Sequence, residues 1–196
     1  VLKNVALKSY QDTYYSNNSS ADFRSYFENC DIAGVVDFLC GDGNIWLEKC
    51  NIILRDRSGN NIVAPGQGTI QNWGYVFTNC TIKPESDNVQ SLKNYNWTLA
   101  RPWNHSPACT FLNAKMQILP TLVGWGKMSI DLVLRFHEYR SVNATNTLIS
   151  LGSRSLTPCV PGPGSDECVL SDEDAAAYGL RNVLGGADSF EPNELC

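Results

Sequence analysis

Two aspartates stand 25 residues apart in stretches rich in strand-forming side chains, Asp12 in SYQDTYY and Asp37 in AGVVDFLC. A carboxylate flanked by Val35, Val36, Phe38 and Leu39 is costly unless something outside the strand engages it. If one turn of a repeating structure takes about that many residues, the two aspartates fall on neighbouring parallel strands, whose backbones run about 5 Å apart. Two carboxylates that close do not ionise together easily, so the pair offers a neutral acid beside an anionic nucleophile. The plainer reading makes both residues strand-end groups that cap turns. A third feature weighs against it. The stretch LARPWNH, residues 99–105, supplies Arg101, a permanent charge that can hold a carboxylate ionised, and Trp103, a flat apolar surface for a sugar ring.

Residues this far apart need a scaffold that brings them together, and a repeat in the sequence predicts one. YFENCDI (26–32), WLEKCNI (46–52) and VFTNCTI (76–82) share one pattern of aromatic or apolar residue, apolar, polar, Asn or Lys, Cys, polar, Ile. TFLNAKM (110–116) keeps it with Ala114 for Cys and Met116 for Ile. The steps from Cys30 to Cys50, Cys80 and Ala114 are 20, 30 and 34 residues, and Asp12 to Asp37 lies inside that range. Short strands recurring irregularly between Gly, Asn, Asp and Ser turns predict a solenoid. The Leu-x-x-Leu-x-Leu frame of a leucine-rich repeat is absent, and a β-sandwich has no need of a recurring seven-residue motif. A parallel β-helix over residues 1–150 follows, with Cys/Cys/Cys/Ala and Ile/Ile/Ile/Met as interior columns. Residues 151–196 read as a tail with a Pro/Gly loop and a short helix packed over the last coil. Ser171 is its expected N-cap, with Asp174 three residues on, and Gly185 its stop.

The 196 residues carry a net charge of −5 with no basic run, which argues against nucleic acid, and no apolar run reaches membrane-spanning length. Among eight cysteines there is no C-x-x-C, and His105 and His137 are the chain's two histidines, so a zinc site is disfavoured. Cys30, Cys50 and Cys80 read as buried free thiols. Cys159 and Cys168 flank CVPGPGSDEC and could close a local disulfide in an exported protein. Asn-x-Ser/Thr triplets at Asn17, Asn18, Asn79, Asn96, Asn104 and Asn143 carry little weight, because such triplets arise by chance.

Taken together, YQDTYY, GVVDFLCG, ARPW, GW at 124–125 and FHEY at 136–139 resemble the pectin methylesterase (pectinesterase) family in order and spacing. These are carbohydrate esterases built on a right-handed parallel β-helix, and the match covers the later two-thirds of that domain. The resemblance implies hydrolysis of galacturonate methyl esters in pectin, outside the cell or in a periplasm, with no cofactor. It also implies a role for each matched residue. Asp37 would be the nucleophile, Asp12 the acid and then the base. Gln11 would donate to the oxyanion, and Arg101 would hold Asp37. Trp103, Tyr15 and Phe38 would line the sugar groove. The polysaccharide is the expected partner. The family's coils upstream of YQDTYY have no counterpart here, so another segment or chain is expected to supply them.

Three departures bear on the site. Cys40 stands where the family strand Asp-Phe-Ile-Phe-Gly has its second aromatic, Val35 replaces Thr, and Ala100 replaces Gly before Arg101. Cys40 as a nucleophile lacks a neighbouring His. Among rival functions, a serine esterase needs a G-x-S-x-G that is absent. A calcium-dependent lyase needs more acidic ligands than Asp12, Asp37 and Asp42. A non-catalytic pectin-binding β-helix and a relative acting on another ester keep the same groove.

Overall fold

The recurring seven-residue motif is a corner between two strands. Its fourth residue takes a left-handed backbone at every occurrence, with φ of 52° at Asn29, 51° at Lys49, 54° at Asn79 and 53° at Asn113. That conformation is costly for most side chains and least so for Asn, which explains the Asn in three of the four motifs. Each corner amide donates to the next coil: Asn29 to Glu48 O, Lys49 to Thr78 O, Asn79 to Leu112 O and Asn113 to Tyr139 O. The following Cys points inward, and Cys30, Cys50, Cys80 and Ala114 have no exposed surface. Among the described residues these three thiols are free, as are those of Cys40 and Cys109.

A computed structural model describes residues 1–18, 20–57, 59, 61–86, 96–129, 134–154 and 168–194 of the chain. Within them the chain forms a parallel β-helix of three sheets. The first sheet holds β1 (Leu2–Lys3), β4 (Arg24–Glu28), β7 (Asn44–Glu48), β10 (Tyr75–Thr78), β13 (Ala108–Leu112) and β15 (Arg135–Tyr139) in that order. Past the corner, the second holds β2 (Ala6–Lys8), β5 (Asp31–Gly34), β8 (Asn51–Leu54), β11 (Thr81–Pro84), β14 (Lys115–Met116) and β16 (Val142–Asn143). The third holds β3 (Tyr14–Ser16), β6 (Val36–Gly41), β9 (Asn61–Pro65) and β12 (Thr98–Ala100). All neighbours within the sheets pair in parallel, as expected from the repeat.

Side chains stack coil upon coil. Ile32, Ile52, Ile82 and Met116 are in register across the second sheet. Phe27, Leu47, Phe77 and Phe111 form a column in the first, where the last two rings stack at 4.3 Å. The next residue in that column is Glu138, which is fully buried. Its charge is met by Arg154, whose Nε donates to Glu138 Oε2 at 2.7 Å and whose Nη1 donates to the carbonyls of Thr121 and Leu122. Gly124 has to be glycine beside this pair: its φ is 78°, and an added Cβ would lie 2.5 Å from Arg154 Cδ.

The tail differs from its expected form. Ser171 does cap a helix, α1 (Asp172–Ala176), by accepting from Asp174 N, but the chain breaks at Gly179 and resumes as α2 (Leu180–Leu184), which ends at Gly185. The tail begins on the last coil, as expected, with Val169 bridging Glu138 beyond β15, but its helices then run along the outer face of the first sheet. Leu170, Val183 and Leu184 pack on Tyr26, Trp46, Val76 and Leu112, which belong to four successive coils. Its far end is tied back by Arg24, which bonds Leu184 O and both carboxylate oxygens of Asp188. Cys168 is disulfide-bonded. Cys159, its expected partner, and the Pro/Gly loop after it lie outside the described residues.

Candidate active site

The third sheet carries the site. Gln11 bridges Val36, and Tyr14 pairs with Leu39, so Asp12 and Asp37 hold equivalent places on adjacent coils. Both aspartates take a left-handed backbone, with φ of 49° and 48°. At Asp37 this coincides with a shift of register between Val36 and Leu39. Such a bulge re-aims one side chain out of the alternation of the strand. Phe38 and Leu39 both enter the core in consequence, while Asp37 faces a cleft. The expectation that Phe38 lines the sugar groove is corrected: as the neighbour of an outward-facing Asp37 it lies on the inner face. Phe38 has no exposed surface and packs so closely on Gly34 that a Cβ there would meet its ring.

Asp37 is 6% exposed and is engaged by Arg101 through two bonds, Nε to Oδ1 at 2.8 Å and Nη2 to Oδ2 at 2.5 Å. This fork-to-carboxylate geometry fixes the plane of the carboxylate. Arg101 follows β12, two coils from β6, and its amide donates to Val63 O. Between the two, Ala64 presents only a methyl to the cleft. Behind Arg101, Gly126 leaves room where a Cβ would stand 3.1 Å from Arg101 Cβ, and its amide donates to Ala100 O.

The cleft, about 390 Å³, is lined by Gln11, Asp12, Tyr15, Asp37, Cys40, Ala64, Trp103 and Met128. Tyr15 and Trp103 form its aromatic rim, with centroids 6.1 Å apart and planes tilted by 59°. Both keep a third or more of their surface open although they are large and apolar, as a sugar platform requires. The Trp103 backbone is held by its amide on Pro65 O and by Ser129 Oγ, which donates to Trp103 O at 2.5 Å. Cys40 donates to Asp12 Oδ1 at 3.6 Å. Burial pushes its thiol up to about 12, helped by the charge of Asp12, the bond to it and the charge of Asp37. Asp42, next along from Gly41, is also pushed up by burial.

The structure thus brings together six of the seven residues singled out in the sequence: Gln11, Asp12, Asp37, Arg101, Tyr15 and Trp103. Sequence reading missed Ala64 and Met128. Neither carries a recognisable signal, since they reach the cleft by the stacking of coils. It also missed Arg154, whose partner Glu138 gives the FHEY stretch its structural meaning.

The pectinesterase family model matches residues 1–181. The chain belongs to the pectinesterase family. A probable pectinesterase/pectinesterase inhibitor of Arabidopsis thaliana is 31% identical over 95% of this chain and 31% of its own length. Pectinesterase 2 of Citrus sinensis is 27% identical over 79% of this chain and 30% of its own. Among solved structures, carrot pectin methylesterase superimposes with a TM-score of 0.72 at 22% identity, covering 93% of this chain and 56% of that one, a likeness of fold. A pectin methylesterase in complex with a hexasaccharide gives 0.69 at 26% identity, over 97% of this chain and 58% of its own. The chain therefore spans about a third of these plant pectinesterases and somewhat over half of the solved enzymes.

Proposed function

We propose that this chain carries the catalytic cleft of a pectin methylesterase, which hydrolyses methyl esters of galacturonate in homogalacturonan to methanol and free carboxylate. The observation that carries the reading is the Asp37 carboxylate, held by two bonds from Arg101 one coil from Asp12, beneath the Tyr15–Trp103 rim. Asp37 attacks the ester carbonyl carbon, and Gln11, at the cleft wall, donates to the oxygen that becomes negative. As the intermediate collapses the C–O bond to methoxide breaks, and Asp12 gives the leaving oxygen its proton, releasing methanol. A galacturonyl–Asp37 anhydride remains. Asp12, now a carboxylate, takes a proton from water, which attacks the galacturonyl carbon and frees both carboxylates. Arg101 orients the Asp37 carboxylate for attack and receives it again when the anhydride is hydrolysed. Action on the cell wall outside the cell accords with the relatives' names and with the disulfide at Cys168, since disulfides persist in oxidising compartments.

The test is methanol release from highly methylated pectin by the 196-residue chain. The reading expects release that rises with the degree of methylation and is absent on polygalacturonate. Binding of oligogalacturonides with no release from any of these substrates would instead make the cleft a binding groove.

A further inference from the structure

Cys40 lines the cleft yet has no part in the reaction just described. It is in register with Tyr15 on one side and Ala64 on the other, so it forms the floor beneath the aromatic rim. Its single S–H has two acceptors within reach, Asp12 Oδ1 at 3.6 Å and the carbonyl of Tyr14 at 3.7 Å. A thiol is a weak donor and satisfies one acceptor at a time; a carboxylate attracts it more strongly than a carbonyl. The direction of the S–H is therefore set by the charge on Asp12.

Resting on the assignment of Asp12 as acid and base, we propose that Cys40 is a positioning residue for Asp12, its S–H holding Oδ1 of the carboxylate left by proton donation. With Oδ1 engaged, Oδ2 is the oxygen presented to the incoming water. When Asp12 carries its proton, the S–H turns to Tyr14 O and leaves the acid free. No bond to sulfur is made or broken. Cys40 thus acts in the second half of the reaction, on the geometry of a group it touches, not on the sugar.

The experiment compares Cys40→Val, which fills the site with about one methyl more and no donor, with Cys40→Ser, which keeps the donor. In Cys40→Val kcat on methylated pectin falls about fivefold, the scale of one hydrogen bond, and KM falls with it, so that kcat/KM stays within about twofold of wild type, as an effect on anhydride hydrolysis alone requires. In Cys40→Ser the rate returns to within about twofold of wild type. A Val variant with unchanged kcat overturns the proposal, as does a Ser variant that loses as much as Val, since either makes the thiol a space-filler. Absence of methanol release from the wild-type chain would instead sink the underlying reading, and this role with it. The contact itself is read without turnover, from the rate at which iodoacetamide alkylates Cys40 at pH 9, located by peptide mass spectrometry. Asp12→Asn removes the facing charge and raises that rate about tenfold. An unchanged rate overturns the proposal.

Discussion

A left-handed backbone at Asp37 does two things at once: it lifts the carboxylate out of the sheet toward the cleft and lets Phe38 and Leu39 both enter the core. The ion pair with Arg101 then compensates a charge that is only 6% exposed. Arg101→Lys is expected to lower kcat about 10–100-fold, because an ammonium offers a point charge where the carboxylate is held in a plane by a fork. Steady-state kinetics with folding checked by circular dichroism would measure this, and a silent variant would mean that the pair does not position the nucleophile. Trp103→Ala should instead act mainly on KM, since it removes sugar-stacking surface and leaves the aspartates untouched. Much of this was legible in the sequence. The spacing from Asp12 to Asp37 and the Arg101–Trp103 pair need only one coil length to become a site. Phe38 was placed in the groove by the resemblance alone, since alternation beside an outward Asp37 already turns it inward; what was not legible is the burial of Leu39, because the bulge that overrides alternation has no signature in VVDFLC.

The corner is the element that makes the repeat, and its chemistry is testable at Lys49. That residue holds a φ of 51° where the neighbouring coils use Asn. Lys49→Gly should raise unfolding stability by about 0.5–1 kcal/mol, read from the urea midpoint, since glycine enters this region without strain. The exposed contact of Lys49 with Glu48 adds little to oppose the gain. The buried pair at the end of the aromatic column predicts the opposite sign. Arg154→Met should cost about 3–5 kcal/mol by leaving Glu138 uncompensated in the core. The sequence displayed the corners as a seven-residue motif with Cys fifth and so revealed the coil, the inward thiols and the Ile column. It hid the cause, because a positive φ is inferred only once strands are known to flank it. Arg154 was hidden for a different reason: it lies 16 residues from its partner, in a stretch with no strand pattern.

At the scale of the whole molecule, the tail straps successive coils together along the first sheet, and its anchor is electrostatic. Arg24 holds the Asp188 carboxyl below the usual carboxylate range, and Lys8, with Arg55, does the same for Glu85 across the second sheet. Both groups bind protons more weakly folded than unfolded. Their stabilisation is complete above the ordinary carboxylate value of about 4 and is lost as pH falls through their lowered folded values. Asp42, pushed up by burial, works in the opposite sense. The thermal midpoint should therefore decline as pH is lowered below about 4, and Asp188→Asn should remove part of that decline. A midpoint equally acid-sensitive in the variant would leave Arg24–Asp188 without weight in holding the strap. The whole account turns on Asp37 as the nucleophile, and one comparison tests that directly: methanol release from methylated pectin by wild type and by Asp37→Asn, with oligogalacturonide binding measured on both. The account predicts a loss of about 10³-fold or more in kcat with binding retained. Turnover near the wild-type rate in Asp37→Asn would contradict it.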